Sequence, residues 1–200
     1  MPTPDEGSYQ PVVVDSFGFT PINTDGNDFS SWAAVFTNPN TEWAIFRMPV
    51  QIEFYGADDL FLGGDELYVT ILPGQTTALA GQGGTAATTR FVVTPADDPT
   101  PYVPLISSGT VEITDVESVA TDIGRLTTGS LTSTLTTDQT FMPIIAVYRD
   151  AAGNILGGTN SGVESLPSGA TVQFEIPDSL PPPNVATTEV YWQLGRRLPQ

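Results

Sequence analysis

The chain has 200 residues, 6 of them basic and 23 acidic, a formal net charge of −17, and no lysine, histidine or cysteine. The shortage of cations removes nucleic acid and anionic membrane surfaces as partners, because binding phosphate groups takes clustered Lys and Arg. Without histidine and cysteine there are no Ser–His or Cys–His catalytic pairs, no usual zinc sites, and no disulfides to record a redox compartment.

Residues 1–8, MPTPDEGS, are polar and proline-bearing and read as a mobile N-terminal tail. They lack the basic start and apolar stretch of a secretion leader, so an exported form is expected to begin after its leader has been removed. Nowhere does an apolar run approach the roughly 20 residues that cross a bilayer, so no membrane insertion of this chain is expected.

Tyr9-Gln10-Pro11 leads into VVVDSFGF, a first strand read as broken near Gly18. INTDGND (Ile22 to Asp28) reads as loop. SSWAAVFTN is the next strand, with Trp32, Ala34 and Phe36 on one face, and NPNTEW turns back from it. FRMPVQIEFY then alternates, with Phe46, Met48, Val50, Ile52 and Phe54 on one side and Arg47, Pro49, Gln51, Glu53 and Tyr55 on the other. Period-two alternation marks a strand with one face in a core and one in water. After the turn GADDLFLGG come FLGGDELYVTIL, the Pro73-Gly74 turn, TTALA, a GQGG loop and the closing strand ATTRFVVT.

The pattern is then written a second time. From Met48 to Pro73 the chain aligns without a gap to Met142–Pro167, a shift of 94 (142 − 48), sharing Met-Pro, Leu-Gly-Gly and Leu-Pro. Tyr102-Val103-Pro104 opens this copy as Tyr9-Gln10-Pro11 opens the first. Ala186-Thr187-Thr188 is read against Ala87-Thr88-Thr89 at the start of the closing strands. Each copy offers about seven short strands with turn signals between them and no helix pattern, as in an antiparallel immunoglobulin-like sandwich. TPADDPTP joins the copies and reads as a short, stiff linker that sets them end to end. Pro49 and Pro143, inside the best strand of each copy, cannot donate to a ladder and point to an edge or a bulge.

IEFYGADDLFLGG followed by YVTILPGQTTAL resembles the FxLYD domains of bacterial and archaeal surface proteins. Those run apolar–aromatic–Tyr–Asp, then a Gly- or Asn-bearing turn, Leu-Gly, and Leu-Pro-Gly before a Thr-rich strand. VYRDAAGNILGG with LPSGATVQFEI is similar to the same family, although Gly56 stands where an Asp often follows the Tyr and Arg149 precedes Asp150. The resemblance implies a β-sandwich and an exported, cell-surface or lipoprotein-anchored habitat. It implies no chemistry, since its motif consists of turn and core residues.

Asp58-Asp59, Asp65-Glu66 and Asp97-Asp98 are the carboxylate pairs from which acid–base chemistry would be built. Neighbours on a strand point to opposite faces and these pairs lie in or beside turns, so no enzyme is expected. TDGND, with Asp25, Asn27 and Asp28 as oxygen donors, has the character of a calcium loop. It lacks the full alternating spacing and the trailing Glu, and an Asx-type turn with solvated charges explains it more simply. Trp43, in a loop beside Asn38 and Asn40, is the candidate contact for a glycan or other ligand, whereas Trp32 and Trp192 read as core. Open sheet edges offer β-addition as a route to partners.

The expectation is therefore an all-β chain of two tandem antiparallel immunoglobulin-like β-sandwiches, at 9–94 and 102–197, with a Pro/Asp linker at 95–101. Its function is read as a non-catalytic binding or spacer module, extracellular or at the cell surface, with a protein partner or self-association. A structural subunit of a surface filament or layer, joined through β-edges, is the alternative, and a carbohydrate-binding module the third reading.

Overall fold

The computed structural model describes residues 9–24, 26–98, 101–105 and 109–195. The strands are β1 (Val13–Thr24), β2 (Asn27–Thr37), β3 (Trp43–Tyr55), β4 (Phe61–Ile71), β5 (Thr76–Gly83), β6 (Arg90–Pro95) and β7 (Tyr102–Pro104). They continue as β8 (Val111–Thr121), β9 (Gly124–Ser133), β10 (Gln139–Arg149), β11 (Ile155–Leu166), β12 (Thr171–Asp178) and β13 (Thr187–Trp192). The one helical element among the described residues is a 3-10 turn at Ala57–Asp59. The tail 1–8, Asp25 and residues 196–197 of the expected second module lie outside the described residues.

All pairings are antiparallel, in sheets ordered β1-β2-β5, β4-β3-β6, β11-β10-β13 and β12-β9-β8. The first two enclose one core, with Trp32, Ala34 and Phe36 of β2 facing Met48, Val50, Ile52 and Phe54 of β3. The last two enclose another, where Leu131 of β9 and Phe174 and Ile176 of β12 meet Met142, Ile144, Ala146 and Tyr148 of β10. The sandwich architecture expected from the alternation is thus present.

The repeat holds at the level of hydrogen-bond register. Met48 pairs with Val69 and Phe54 with Gly63; their counterparts 94 residues on, Met142 and Tyr148, pair with Val163 and Gly157. Both hairpins carry the same irregularity one residue later, at Tyr55 and Arg149. The closing strands correspond differently from the sequence reading. Tyr55 pairs with Arg90 and Arg149 with Thr187, a shift of 97 (187 − 90), so the two Ala-Thr-Thr triplets are not equivalent. The matching letters misled because Thr-rich strands tolerate several alignments.

Further expectations are corrected by local geometry. β1 runs past Gly18 without a break, and that glycine answers to packing: a Cβ there would collide with the Ile155 carbonyl oxygen. The expected loop Ile22–Asp28 is mostly strand, since Thr24 pairs with Asn27. Gly26, in the turn between them, takes a positive φ (+85°), which a residue without a Cβ adopts freely. In β3 the alternation slips at Arg47 (φ +52°), where a bulge puts Ile45 in the core and leaves Phe46 half-buried.

The linker is not free-standing. β7 pairs with β3 alongside β6, the Ala96 N–H donates to the Pro49 oxygen (2.9 Å), and the Phe46 N–H donates to the Pro101 oxygen (2.8 Å). Tyr102, expected to open the second module, belongs to the first core, its ring tilted against that of its sequence counterpart Tyr9 with centroids 4.1 Å apart. Pro49 offers its carbonyl here, and a backbone N–H is not called for.

The sandwiches do not sit end to end. A third apolar cluster joins the outward face of β1-β2-β5 to that of β11-β10-β13, through Ala33, Val35, Ala78 and Ala80 on one side and Ile145, Val147 and Ile155 on the other. The four sheets form one stack. β2 and β10 are its inner strands, buried on both faces, which is why SSWAAVF and PIIAVY run apolar without alternation. Small side chains let the sheets approach closely: a Cβ on Gly158 would meet the Ala80 and Ala33 Cβ atoms at 2.9 and 3.3 Å.

Candidate functional site at the sandwich junction

Trp43, Asn38 and Asn40 are brought together, but their polar atoms serve the fold. Asn38 is fully buried; its amide donates to the Trp43 oxygen (2.7 Å) and the Leu72 oxygen (3.1 Å), and its Oδ1 accepts from the Asn40 amide (2.7 Å). Asn40 in turn pairs with the Gln10 backbone in both directions, at 2.6 and 2.8 Å. The pair staples the N-terminal segment to the β2–β3 connection. Trp43 packs half-buried on the first core above a shallow pocket of about 280 Å³ lined also by Tyr9, Gln10 and Glu42.

Of the calcium candidates, two fall within the described residues. Asn27 and Asp28 are strand residues: the Asn27 amide donates to the Thr24 oxygen (3.2 Å), and the Asp28 carboxylate accepts the Ala86 N–H. Asp25 lies outside the described residues. Among the described residues no group of three acidic side chains is arranged to hold a metal ion. Asp59 of the carboxylate pairs is engaged by Arg90 at 2.8 Å, both side chains largely solvated.

The junction between the sandwiches is the site that sequence reasoning missed. Gln193, just beyond β13, inserts its buried side chain between the two sheets of the first sandwich. Its Oε1 accepts the Thr70 N–H of β4 (3.3 Å), and its Nε2 donates to the Ala78 oxygen of β5 (2.7 Å). Asn160 of β11 donates to the Ala80 oxygen (2.9 Å), so two carbonyls of the edge strand β5 are taken by amide side chains rather than by another strand. Gln75 and Thr77 both donate to the Trp192 oxygen, at 2.9 and 2.8 Å.

Next to these amides lies a cavity of about 310 Å³, at the lower end of the ~300–1,000 Å³ common for small-ligand sites. Trp32, Leu67, Leu79, Pro143 and Ile145 supply its apolar walls, and Asp65, Tyr68, Gln82, Asn160 and Gln193 its polar groups. The indole edge of Trp32 turns toward it: the nitrogen lies 3.7 Å from where a Gly81 Cβ would stand, and its N–H has no hydrogen-bond partner among the described residues. The cavity combines one carboxylate, amides, an unengaged indole donor and apolar walls, which is the chemistry of recognition.

At the other end of the junction Arg149 pairs with Glu189 (2.9 Å), and the Tyr191 hydroxyl donates to the same carboxylate (2.8 Å). Burial, reinforced by that bond, pushes the Tyr191 hydroxyl up to about 12. Tyr191 therefore stays neutral and packs against the junction cluster. The signal for the junction was present in the unbroken apolar runs of β2 and β10, but a run of that kind does not say which surface covers it.

No protein-family profile matches the chain, and a search of curated proteins returns no match.

Proposed function

We propose that this protein is a non-catalytic extracytoplasmic binding or spacer module, in which two sandwiches act as one rigid unit and the junction cavity is the recognition site. One observation carries the reading: the stack is finished with polar faces. Ala33, Val35, Ala78 and Ala80 are buried in the junction, whereas their register equivalents in the second sandwich are Thr128, Ser130, Gln173 and Glu175. Ile145 and Val147 likewise correspond to Gln51 and Glu53 on the outside of β3. Terminal units of a stacked array need polar outer faces to stay separate in water. The surface charge of −17 acts in the same direction and suits an exposed, soluble habitat.

Light scattering across a concentration series is the test. A monomer of 21.2 kDa supports the module; large homo-oligomers would make the chain a filament or layer subunit instead.

A further inference from the structure

We propose that the junction cavity binds a neutral saccharide, one or two pyranose rings deep. The inference rests on the binding-module reading and gives that site its ligand class. A polypeptide strand is a poor occupant, because β-addition needs free backbone groups and the Ala78 and Ala80 carbonyls are already held by Gln193 and Asn160. An anionic ligand meets Asp65 and a chain of net charge −17. A bare cation is met by the Trp32 indole N–H, which is a donor and seeks an oxygen.

Hydroxyl groups fit what remains, since each both donates and accepts. They would accept from Trp32 Nε1 and the Gln82 amide. They would donate to the Asp65 carboxylate and to the Asn160 Oδ1, whose amide nitrogen is already committed to Ala80. Leu67, Leu79 and Pro143 would meet the C–H faces of the ring. Asp65, Gln82 and Asn160 are solvent-exposed, so entry calls for no opening of the stack.

The experiment is a printed array of neutral and acidic glycans probed with the whole chain, followed by titration calorimetry with the best free oligosaccharide. Two variants locate the site. Asp65→Ala removes the charged acceptor at an exposed position and is expected to weaken binding about tenfold or more, the scale of a lost hydrogen bond to a charged group. Gly81→Val places a side chain in the cavity mouth. Its Cβ would make an ordinary 3.5 Å contact with Trp32; binding is expected to be lost, and a melting temperature near that of the wild type checks that the fold is kept. The proposal is overturned by any of three results: no neutral glycan bound, a preference for acidic glycans, or binding undiminished in Gly81→Val. Hydrolysis of the bound glycan would leave the site standing and break the non-catalytic reading, so the two failures are distinguishable.

Discussion

In the first sandwich Phe19, Trp32, Phe54 and Phe91 gather at one end of the core, with Phe91 centred 5.2 Å from Phe54, 5.6 Å from Trp32 and 6.0 Å from Phe19. In the second, the register-equivalent places hold Ser118, Thr127, Tyr148 and Thr188. There the packing of rings is replaced by hydroxyl contacts: Ser118 with Thr127 at 2.9 Å, Thr188 with Ser118 at 2.9 Å, and Arg125 donating to Ser118 at 3.1 Å. The Nε of Arg125 is buried with no hydrogen-bond partner, and the buried Tyr148 hydroxyl lies beside the buried Asp178 carboxyl. Closely matching backbone pairing thus accommodates an aromatic interior in one copy and a partly satisfied polar one in the other. The lesson is that turns and alternation set the register, and the interior then has latitude in how it is filled.

The largest expected effect separates the joined face from the free one. Ala33→Asp buries a charge between the sandwiches and is expected to cost about 3–5 kcal/mol. Thr128→Asp at the equivalent place on the free face should stay within about 0.5 kcal/mol, the range of ordinary surface changes. Chemical denaturation of both variants measures this, and equal losses would mean that the junction is not a buried interface.

Next comes the contrast in the cores. Phe91→Ala removes the ring on which four others pack and should cost about 3–5 kcal/mol. Thr188→Ala removes one hydroxyl contact and should cost about 1 kcal/mol. If Thr188→Ala proved the more damaging, the polar network would be the stronger of the two fillings.

The smallest effect concerns Asp178. Burial raises its carboxyl above the ordinary carboxylate value, against the opposing pull of the Leu180 N–H, Tyr148 and Arg125. A carboxyl raised on folding contributes stability that is fully present below its unfolded value and lost as pH rises through the folded one. Asp178→Asn escapes that loss. The variant should therefore melt higher than the wild type at pH 7, with the gap closing as pH falls toward about 3, below the ordinary carboxylate range. A variant melting lower at neutral pH would show that the charge is compensated, with Arg125 the nearest candidate.

The residues that spoke plainly were those whose signals are local. FRMPVQIEFY declared a half-buried strand because its partners are water on one side and a single core on the other. Met48 and Met142 announced matched positions and are both buried in matched pairs. The tight turn at Gly26, the bulge at Arg47 and the true offset of the closing strands were less legible. Each turns on one or two backbone angles that several sequences satisfy. Asn38, Asn40 and Trp43 do lie together, but only the neighbouring carbonyls reveal that the amides are spent on the fold.

By itself, then, the amino-acid order determined strands, hairpins and repetition, because pleat alternation and turn chemistry are decided within a few residues. The tertiary structure alone decided that the sandwiches stack face to face, that Tyr102 completes the first core, and that a cavity opens beside Trp32. Those outcomes hang on partners far apart in the chain, such as Gln193 and Ala78, which are 115 residues apart. An apolar face states only that it must be covered, and what covers it is settled by whichever distant surface fits.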